Sequence, residues 1–208
     1  MINSLLVCDT SDTHIGSFLE KCKIQTLEIL NSVKNIFQID EISGKIVFDI
    51  IVPLKAKSYN NSSFLFISYT HGSKTELLQN GITPFISDKI ETACLKNSFS
   101  YCFACKAGSI LGKTICNIGA LSFIGYNKAI NIQKYFGAED YFIDCAVSGI
   151  KAFIEGKTTE DVLKYIKEKY NESIDEFYQK DMLTSSLFMD NRDALVLHGN
   201  KKLTINDF

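Results

Sequence analysis

Two stretches of the chain are almost free of charge and rich in aromatic side chains, and both stop abruptly. Residues 64–70 read Phe-Leu-Phe-Ile-Ser-Tyr-Thr and are followed by His71 and Gly72. Residues 98–104 read Ser-Phe-Ser-Tyr-Cys-Phe-Ala, after which Cys105 opens a glycine-containing turn. Apolar runs of this length and composition predict buried strands. We therefore expect His71 and Cys105 at the carboxyl edge of one sheet, where open α/β folds place their sites.

The rest of the pattern alternates between strand-like and helix-like segments. A helix over residues 83–94, with Thr83 as its cap and Pro84 at its first position, would join the two buried strands as a parallel βαβ unit. The other predicted elements are strands over residues 4–8, 45–52 and 119–126, helices over residues 17–33 and 141–153 and from residues 158–161 onward, and a terminal hairpin over residues 194–205 with a Gly-Asn turn. This order predicts one α/β domain over residues 1–208, with a mainly parallel central sheet.

The composition of the chain limits the kinds of binding partner that we expect and indicates the cellular compartment. Of the 208 residues, 46% are hydrophobic and 22% are charged, an ordinary balance for a folded protein. The net charge of -2, without a block of lysine or arginine, argues against nucleic-acid or membrane binding as the main task. No apolar run approaches the roughly 20 residues of a membrane span, and the N-terminus lacks the basic flank of a signal peptide. The seven cysteines are scattered, several of them within apolar runs, so we expect a cytoplasmic protein.

An imidazole and a thiol at neighbouring strand ends are the groups that a cysteine hydrolase needs. A thiol attacks a carbonyl as the thiolate, which requires a nearby base or cation. We assign Cys105 as the nucleophile and His71 as the general base and acid. The N–H groups of Gly72 and Cys105 would form the oxyanion hole, because a glycine lets the backbone approach a substrate closely.

The order of these motifs resembles that of a known family. A hydrophobic strand ending in His-Gly, a helix, and a hydrophobic strand ending in Ala-Cys-x-x-Gly are found in the caspase-like cysteine peptidases, the clan of caspases, gingipains, clostripain, separase and CHAT domains. Residues 119–125, with a Gly-Ala opening and a closing glycine, are similar to the next strand of CHAT and gingipain members, which borders their substrate cleft. The tail, residues 195–203, resembles their terminal strand pair, with Gly-Asn-Lys where an Asp-Pro is more usual.

The resemblance implies a three-layer α/β/α domain that acts as a cysteine endopeptidase. It places Phe103 and Ser122 at the substrate. The residue two before the nucleophile is acidic in members that cut after Arg or Lys, and Gln in caspases. Phe103 in that place argues against a basic preference and favours an apolar or small one. The family also implies a protein or peptide substrate, a possible regulatory partner protein, and a role in bacterial defence or regulated cell death, where a partner such as a gasdermin is cut.

Several alternatives to this interpretation remain. Taken singly, Cys105 could be a core cysteine and His71 a turn histidine bonded to the local backbone. Cys102 and Cys105 form a Cys-x-x-Cys, but both lie in one strand and no second pair has zinc spacing, so we expect no metal and no organic cofactor. A catalytically inactive interaction module of the same fold is the main rival. An acyltransferase or an amidotransferase-like hydrolase is the second, disfavoured because the histidine here precedes the nucleophile.

Overall fold

A computed structural model describes residues 1–33, 35–59, 61–88, 92–135 and 137–208. The strands are β1 (Ile2–Cys8), β2 (Phe37–Ser43), β3 (Phe64–Tyr69), β4 (His71–Gly72), β5 (Glu76–Gln79), β6 (Thr83–Ser87), β7 (Ser98–Phe103), β8 (Ser122–Tyr126) and β9 (Leu195–Gly199). The α-helices are α1 (Gly16–Ser32), α2 (Ile51–Lys57), α3 (Leu111–Asn117), α4 (Ala138–Ile154), α5 (Thr159–Tyr178) and α6 (Met182–Ala194). Short 3₁₀ turns cover Gly44–Ile46, Thr92–Leu95 and Ile205–Asp207.

The central sheet has six strands in the order β2-β1-β3-β7-β8-β9. The first five are parallel to one another, and β9 runs antiparallel to β8. Helices α1, α4, α5 and α6 pack on one face of the sheet, while α2 and α3 pack on the other. The predicted α/β fold with helices on both faces of a mainly parallel sheet is confirmed.

The two aromatic runs form the central strands β3 and β7, as predicted. Every residue of both strands is buried, because a parallel strand between two helical layers has no solvent face. Alternate side chains of β3 point into opposite cores: Leu65, Ile67 and Tyr69 join one cluster, and Phe64 and Phe66 join the other.

Three of the predicted helices are also present. α1 spans the predicted helix over residues 17–33, and α4 that over residues 141–153. α5 begins after Thr158, whose side chain accepts a hydrogen bond from the Asp161 N–H, so the predicted cap is in place. Among the described residues, no helix combines the length and the hydrophobicity needed to cross a lipid bilayer. Helices α3 and α6 had not been predicted.

The strand predicted over residues 45–52 is wrong. A 3₁₀ turn covers Gly44–Ile46, and α2 begins at Ile51. The edge strand of the sheet is β2, which precedes this segment in the chain and pairs with β1. Gly44, at φ 66°, turns the chain out of the sheet. Val52 and Ala56, four residues apart on α2, are fully buried in the second core. Helical burial therefore outweighs the β-branched composition of the segment.

The helix predicted over residues 83–94 is also wrong, although Ile90 lies outside the described residues. Residues 83–87 form β6, which pairs with β5 in a separate three-stranded antiparallel sheet, β4-β5-β6. Asn80 and Gly81, both with positive φ, make the tight turn between β5 and β6. The connection between β3 and β7 thus contains a β-hairpin in place of a crossover helix.

The predicted terminal hairpin is only half present. β9 forms, but the chain after Gly199 does not return as a strand. Instead the Asn200 N–H donates to the Leu121 carbonyl, and the Leu203 carbonyl accepts from the Thr159 N–H at the start of α5. Leu203 is buried in the core beneath α5, so packing against that helix replaces the second strand.

Candidate active site

Four neighbouring strands bring polar side chains to the same edge of the central sheet. Strands β1, β3, β7 and β8 are adjacent and parallel. Asp9 and Asp12 follow β1, His71 follows β3, and Cys105 follows β7. The loop after β8 reaches the same edge, since the Ile130 N–H contacts the Cys105 sulfur. The carboxyl ends of parallel strands are where α/β proteins build their sites.

His71 is held by a carboxylate from the neighbouring strand end. Its Nε2 lies 3.0 Å from Oδ2 of Asp12, and its side chain is 27% exposed. The ring packs over Gly81, where an added Cβ would be 3.7 Å from the ring Cγ and 3.8 Å from Nδ1. The β5–β6 turn thus fixes one face of the imidazole, and Asp12 fixes one of its nitrogens.

Asp12 joins the imidazole to the first turn of α1. Its Oδ1 accepts hydrogen bonds from the N–H groups of His14, at 2.8 Å, and Ile15, at 2.7 Å. Burial by itself would raise the pKa of Asp12, but the hydrogen bonds from Ile15, His14 and His71 outweigh it, so the pKa lies below its usual value. Asp12 is therefore a carboxylate at neutral pH, and its Oδ2 holds Nε2 of His71.

Asp9 is fully buried beside this pair. Its carboxylate accepts hydrogen bonds from the Ser11 hydroxyl, at 3.0 Å, and from the Asn80 N–H, at 2.5 Å. It thereby anchors the β5–β6 turn against the end of β1. One ligand atom each from Asp9, Asp12 and His71 lie within 4.8 Å of one another, a spacing that a divalent metal ion could bridge. The carboxylates already accept hydrogen bonds in this arrangement, and the expectation of no metal stays a prediction.

Cys105 lies in a tight turn directly after β7. Its thiol is partly exposed, and the sulfur accepts a hydrogen bond from the Ile130 N–H at 3.2 Å. The next residue, Lys106, has φ 61°, a conformation that costs a non-glycine residue about 1–2 kcal/mol. Hydrogen bonds from the Lys106 N–H to the Lys128 carbonyl and from the Gly108 N–H to the Tyr126 carbonyl hold the turn against β8 and the loop after it.

The segments that carry His71 and Cys105 are in direct contact. A Cβ on Gly72 would lie 2.8 Å from the Cys105 carbonyl oxygen and 3.0 Å from the Ala104 Cβ. Only glycine allows this approach, which explains the His-Gly pair. Within the ranges that the structure describes, the Cys105 N–H donates to no main-chain carbonyl. The structure brings His71, Gly72 and Cys105 together; the roles assigned to them stay predictions.

The loop over residues 127–135 crosses this edge of the sheet and is tied at both ends. The fully buried side chain of Asn191, on α6, accepts from the Asn131 N–H at 2.8 Å and donates to the Asn131 carbonyl at 2.7 Å. Lys134 Nζ reaches the His14 carbonyl and the Ser17 hydroxyl at the start of α1. The loop therefore runs from β8 past Cys105 to α1.

The two residues assigned to the substrate lie elsewhere. Phe103 is 4% exposed and packs among the rings of Phe18, Tyr69 and Tyr126. Ser122 opens β8 opposite Phe99, at the amino end of the strands, and its hydroxyl donates to the His198 carbonyl. Neither position supports the substrate contact assigned to it, and both assignments stay predictions.

The remaining cysteines are distinct from Cys105 in their surroundings. No two of the seven cysteines are joined by a disulfide bond. Cys102 is 1% exposed in the second core, and burial raises the pKa of its thiol. Cys116 is partly exposed, and burial raises the pKa of its thiol to about 11. The Cys-x-x-Cys therefore presents only one accessible sulfur, which does not suit a redox pair.

Comparison with known proteins shows the fold. No protein-family model matches the chain, and no curated protein matches its sequence. A complex of the pro- and mature domains of RgpB from Porphyromonas gingivalis has a TM-score of 0.59 at 14% identity, over 97% of this chain and 48% of that chain. The Arg-specific cysteine proteinase gingipain R (RgpB) has a TM-score of 0.61 at 14% identity, over 97% of this chain and 47% of that chain. The chain thus spans about half the length of these neighbours and has the caspase-like fold of gingipain.

Sequence reasoning missed two residues of the site. Asp9 directly follows the predicted strand over residues 4–8 and Asp12 comes three residues later, so Cys8-Asp9-x-x-Asp12 is a visible signal of carboxylates near a strand end. Asn191 had no signal, because it lies in a helix that had not been predicted.

Proposed function

We propose that the protein is a cysteine endopeptidase that cleaves protein substrates through an acyl-enzyme. The observation that supports this most is the contact of the His71-Gly72 segment with Cys105 at neighbouring strand ends, with Asp12 bonded to the imidazole. The caspase-like fold of gingipain, a cysteine proteinase, agrees with the proposal. The interpretation as an acyltransferase or amidotransferase gains no comparable support.

His71 moves the proton in this mechanism. Asp12 occupies Nε2, so Nδ1 is the ring nitrogen left to take the proton from Cys105. The sulfur then attacks the carbonyl carbon of the scissile peptide. As the C–N bond breaks, His71 returns the proton to the leaving amine. A water molecule, deprotonated by His71, hydrolyses the thioester and restores the thiol.

The oxyanion of the tetrahedral intermediate would be bound by the N–H groups of Gly72 and Cys105. Both belong to segments in van der Waals contact, and such preorganised donors stabilise the developing charge. The Ile130 N–H, which now meets the sulfur, marks the side of Cys105 over which residues 127–135 pass. We assign this loop as one wall of the substrate cleft.

The cellular role that we propose is the cleavage of a partner protein, with its consequence in bacterial defence or regulated cell death. This part of the proposal rests on the family resemblance alone. Its test is whether cells that express the wild-type chain contain a cleaved protein that is intact in cells expressing Cys105→Ala.

The experiment for the catalytic role is a comparison of peptide fragments by mass spectrometry. Wild-type protein and Cys105→Ala are each incubated with a denatured protein extract, and new termini are sequenced. Cys116→Ala is the matched control, because Cys116 is a partly exposed thiol outside the site. We expect new termini with the wild type and the control and none with Cys105→Ala. Equal fragment sets from all three proteins would favour the inactive interaction module.

A further inference from the structure

Four lysines surround the turn that follows Cys105. Lys106 lies in the turn, and its N–H donates to the carbonyl of Lys128. The Lys74 carbonyl accepts hydrogen bonds from the N–H groups of residues 110 and 111, at the end of the turn. Lys113 lies in the first turn of α3, immediately beyond. The main chain therefore gathers four cationic side chains around one segment of a protein whose net charge is -2.

None of these four ammonium groups has a carboxylate partner among the described residues. Lysines elsewhere on the surface do, as in the pairs Lys21–Glu139, Lys164–Asp161 and Lys180–Glu176. Asp193 bonds to Arg192 at 2.9 Å, and this hydrogen bond is the main reason that the pKa of Asp193 is lowered, with a further contribution from the charge of Lys128. Four unpaired cations around one turn repel each other, and an anion placed there would remove that repulsion.

A cleft of about 380 Å³ opens beside the turn, between α3, β9 and the loop after β8. Lys113, Lys128, His198 and Ser109 line it, together with Gly108 and Asn127, and no carboxylate is part of its wall. His198 Nε2 lies 2.7 Å from the Gly108 carbonyl, and the ring stacks on Phe123. The cleft is therefore attached directly to the segment that positions Cys105.

We propose that this cleft is a subsite for an acidic segment of the protein substrate, bound near the scissile bond on the β8–β9 side. The inference rests on the proposed peptidase function. A carboxylate there would accept hydrogen bonds from Lys113 and Lys128, which are stronger than those between neutral groups. Asp9 and Asp12 lie outside this cleft, on the far side of Cys105 next to His71, and would repel the same segment. The opposed charges fix the direction in which an acidic substrate lies across Cys105.

Binding to the inactive protein tests the proposal separately from catalysis. Cys105→Ala protein is titrated with two fluorescein-labelled octapeptide pools that differ only in having Asp and Glu where the other has Asn and Gln. We expect the acidic pool to bind about tenfold more tightly at low salt, because each charged pair contributes modestly. Lys113→Glu together with Lys128→Glu should abolish the difference. Lys201→Glu together with Lys202→Glu, the same charge change at the other end of the sheet, should keep it.

The outcomes separate the two proposals. The acidic subsite is overturned if both pools bind equally well, or if the preference for the acidic pool is lost equally in both double variants. This holds whether or not the wild-type protein cleaves peptides. A binding difference that only the cleft variants abolish supports it, even if wild-type protein cuts nothing and the peptidase proposal fails. If cleavage does occur, acidic residues should be enriched on one side of the cut, and an even distribution would contradict the subsite.

Discussion

The His71 side and the Cys105 side of the cleft are held in different ways. On the His71 side, Asp9 and Asp12 accept hydrogen bonds from the Asn80 N–H of the β5–β6 turn and from the N–H groups of residues 14 and 15, just before α1, and Asp12 bonds to the imidazole. On the Cys105 side, a strained turn at Lys106 is bound to β8, and the lysines around it have no carboxylate partner within the described part of the chain.

This difference suggests that the two sides have separate roles, one in positioning the imidazole and the other in binding a ligand. The acidic side is preorganised, because both oxygens of Asp9 and of Asp12 accept hydrogen bonds, and Asp12 orients the imidazole of His71. The basic side leaves its cationic groups available for a ligand. Catalysis, which depends on the His71 side, should therefore be sensitive to the loss of a single hydrogen bond. Binding of an acidic segment on the Cys105 side should be sensitive to salt and to charge reversal.

The largest effect is expected from removal of the imidazole. His71→Ala should lower kcat/KM for peptide cleavage by about 10²–10⁴-fold, because it removes the group that we propose as general base and acid. His14→Ala is the control, since its backbone but not its ring contacts the site. Loss of activity in both variants alike would contradict the assignment.

The second largest effect is expected from loss of the Asp12 carboxylate, which holds the imidazole of His71. Asp12→Asn keeps the size of the side chain and should lower kcat by about 10²-fold with little change in KM, because the misplaced or unassisted imidazole acts only in the transition state. Asp49→Asn, an exposed carboxylate, is the matched control. An unchanged kcat would show that Asp12 serves α1 alone.

The contact between the two sides is tested at Gly72. Gly72→Ala puts a methyl group 2.8 Å from the Cys105 carbonyl, so the two segments must separate. We expect a loss of about 1–3 kcal/mol in the free energy of unfolding, measured by denaturant titration, together with reduced cleavage. Ser73→Ala, the next residue, should keep both. A fully stable and active Gly72→Ala protein would refute the close packing.

A smaller effect is expected at the loop that borders Cys105. Asn191→Leu removes both hydrogen bonds to Asn131, so residues 127–135 lose their anchor to α6. KM should rise about tenfold while kcat changes less, because the proposed cleft wall would contact substrate in the ground state. Asn191→Asp retains the acceptor for the Asn131 N–H and should give an intermediate KM. A change confined to kcat would assign the loop a role in catalysis instead of binding.

The smallest expected effect is a change in how the free energy of unfolding depends on pH. The lowered pKa of Asp12 means that its carboxylate stabilises the fold above the unfolded-state value of about 3.9, and that this contribution is lost as the pH falls through the folded-state pKa. Asp12→Asn should therefore be less stable than wild type by about 1 kcal/mol at pH 7, the size of one lost hydrogen bond. The difference should shrink below pH 4. A difference independent of pH would contradict this linkage.

The sequence predicted the centre of the sheet and missed much of its surroundings. Uncharged, aromatic-rich runs such as those of β3 and β7 predict buried strands, and this is enough to place His71 and Cys105 at strand ends. Residues 45–52 were misjudged because β-branched composition says nothing of the competing edge strand β2. The β5–β6 hairpin replaces the predicted helix, and Asn80-Gly81 is the hairpin signal that marks its turn.

The site was predicted to the extent that it depends on local sequence. His71-Gly72 and Cys105 are marked by their glycine turns, whereas Asp12 and Asn191 act through partners 59 and 60 residues away. Such contacts depend on strand order and helix packing. The sequence pattern alone contains neither.

The most direct test of the account is the rate at which iodoacetamide alkylates Cys105 in the folded protein, followed by mass spectrometry at pH 6.5. Cys116, in the same sample, is the internal reference. If His71 and Cys105 act as a catalytic pair, we expect Cys105 to be alkylated at least about tenfold faster than Cys116. The His71→Ala substitution should remove most of this difference in rate. Equal rates for the two thiols, or a Cys105 rate that does not depend on His71, would contradict the proposed catalytic pair.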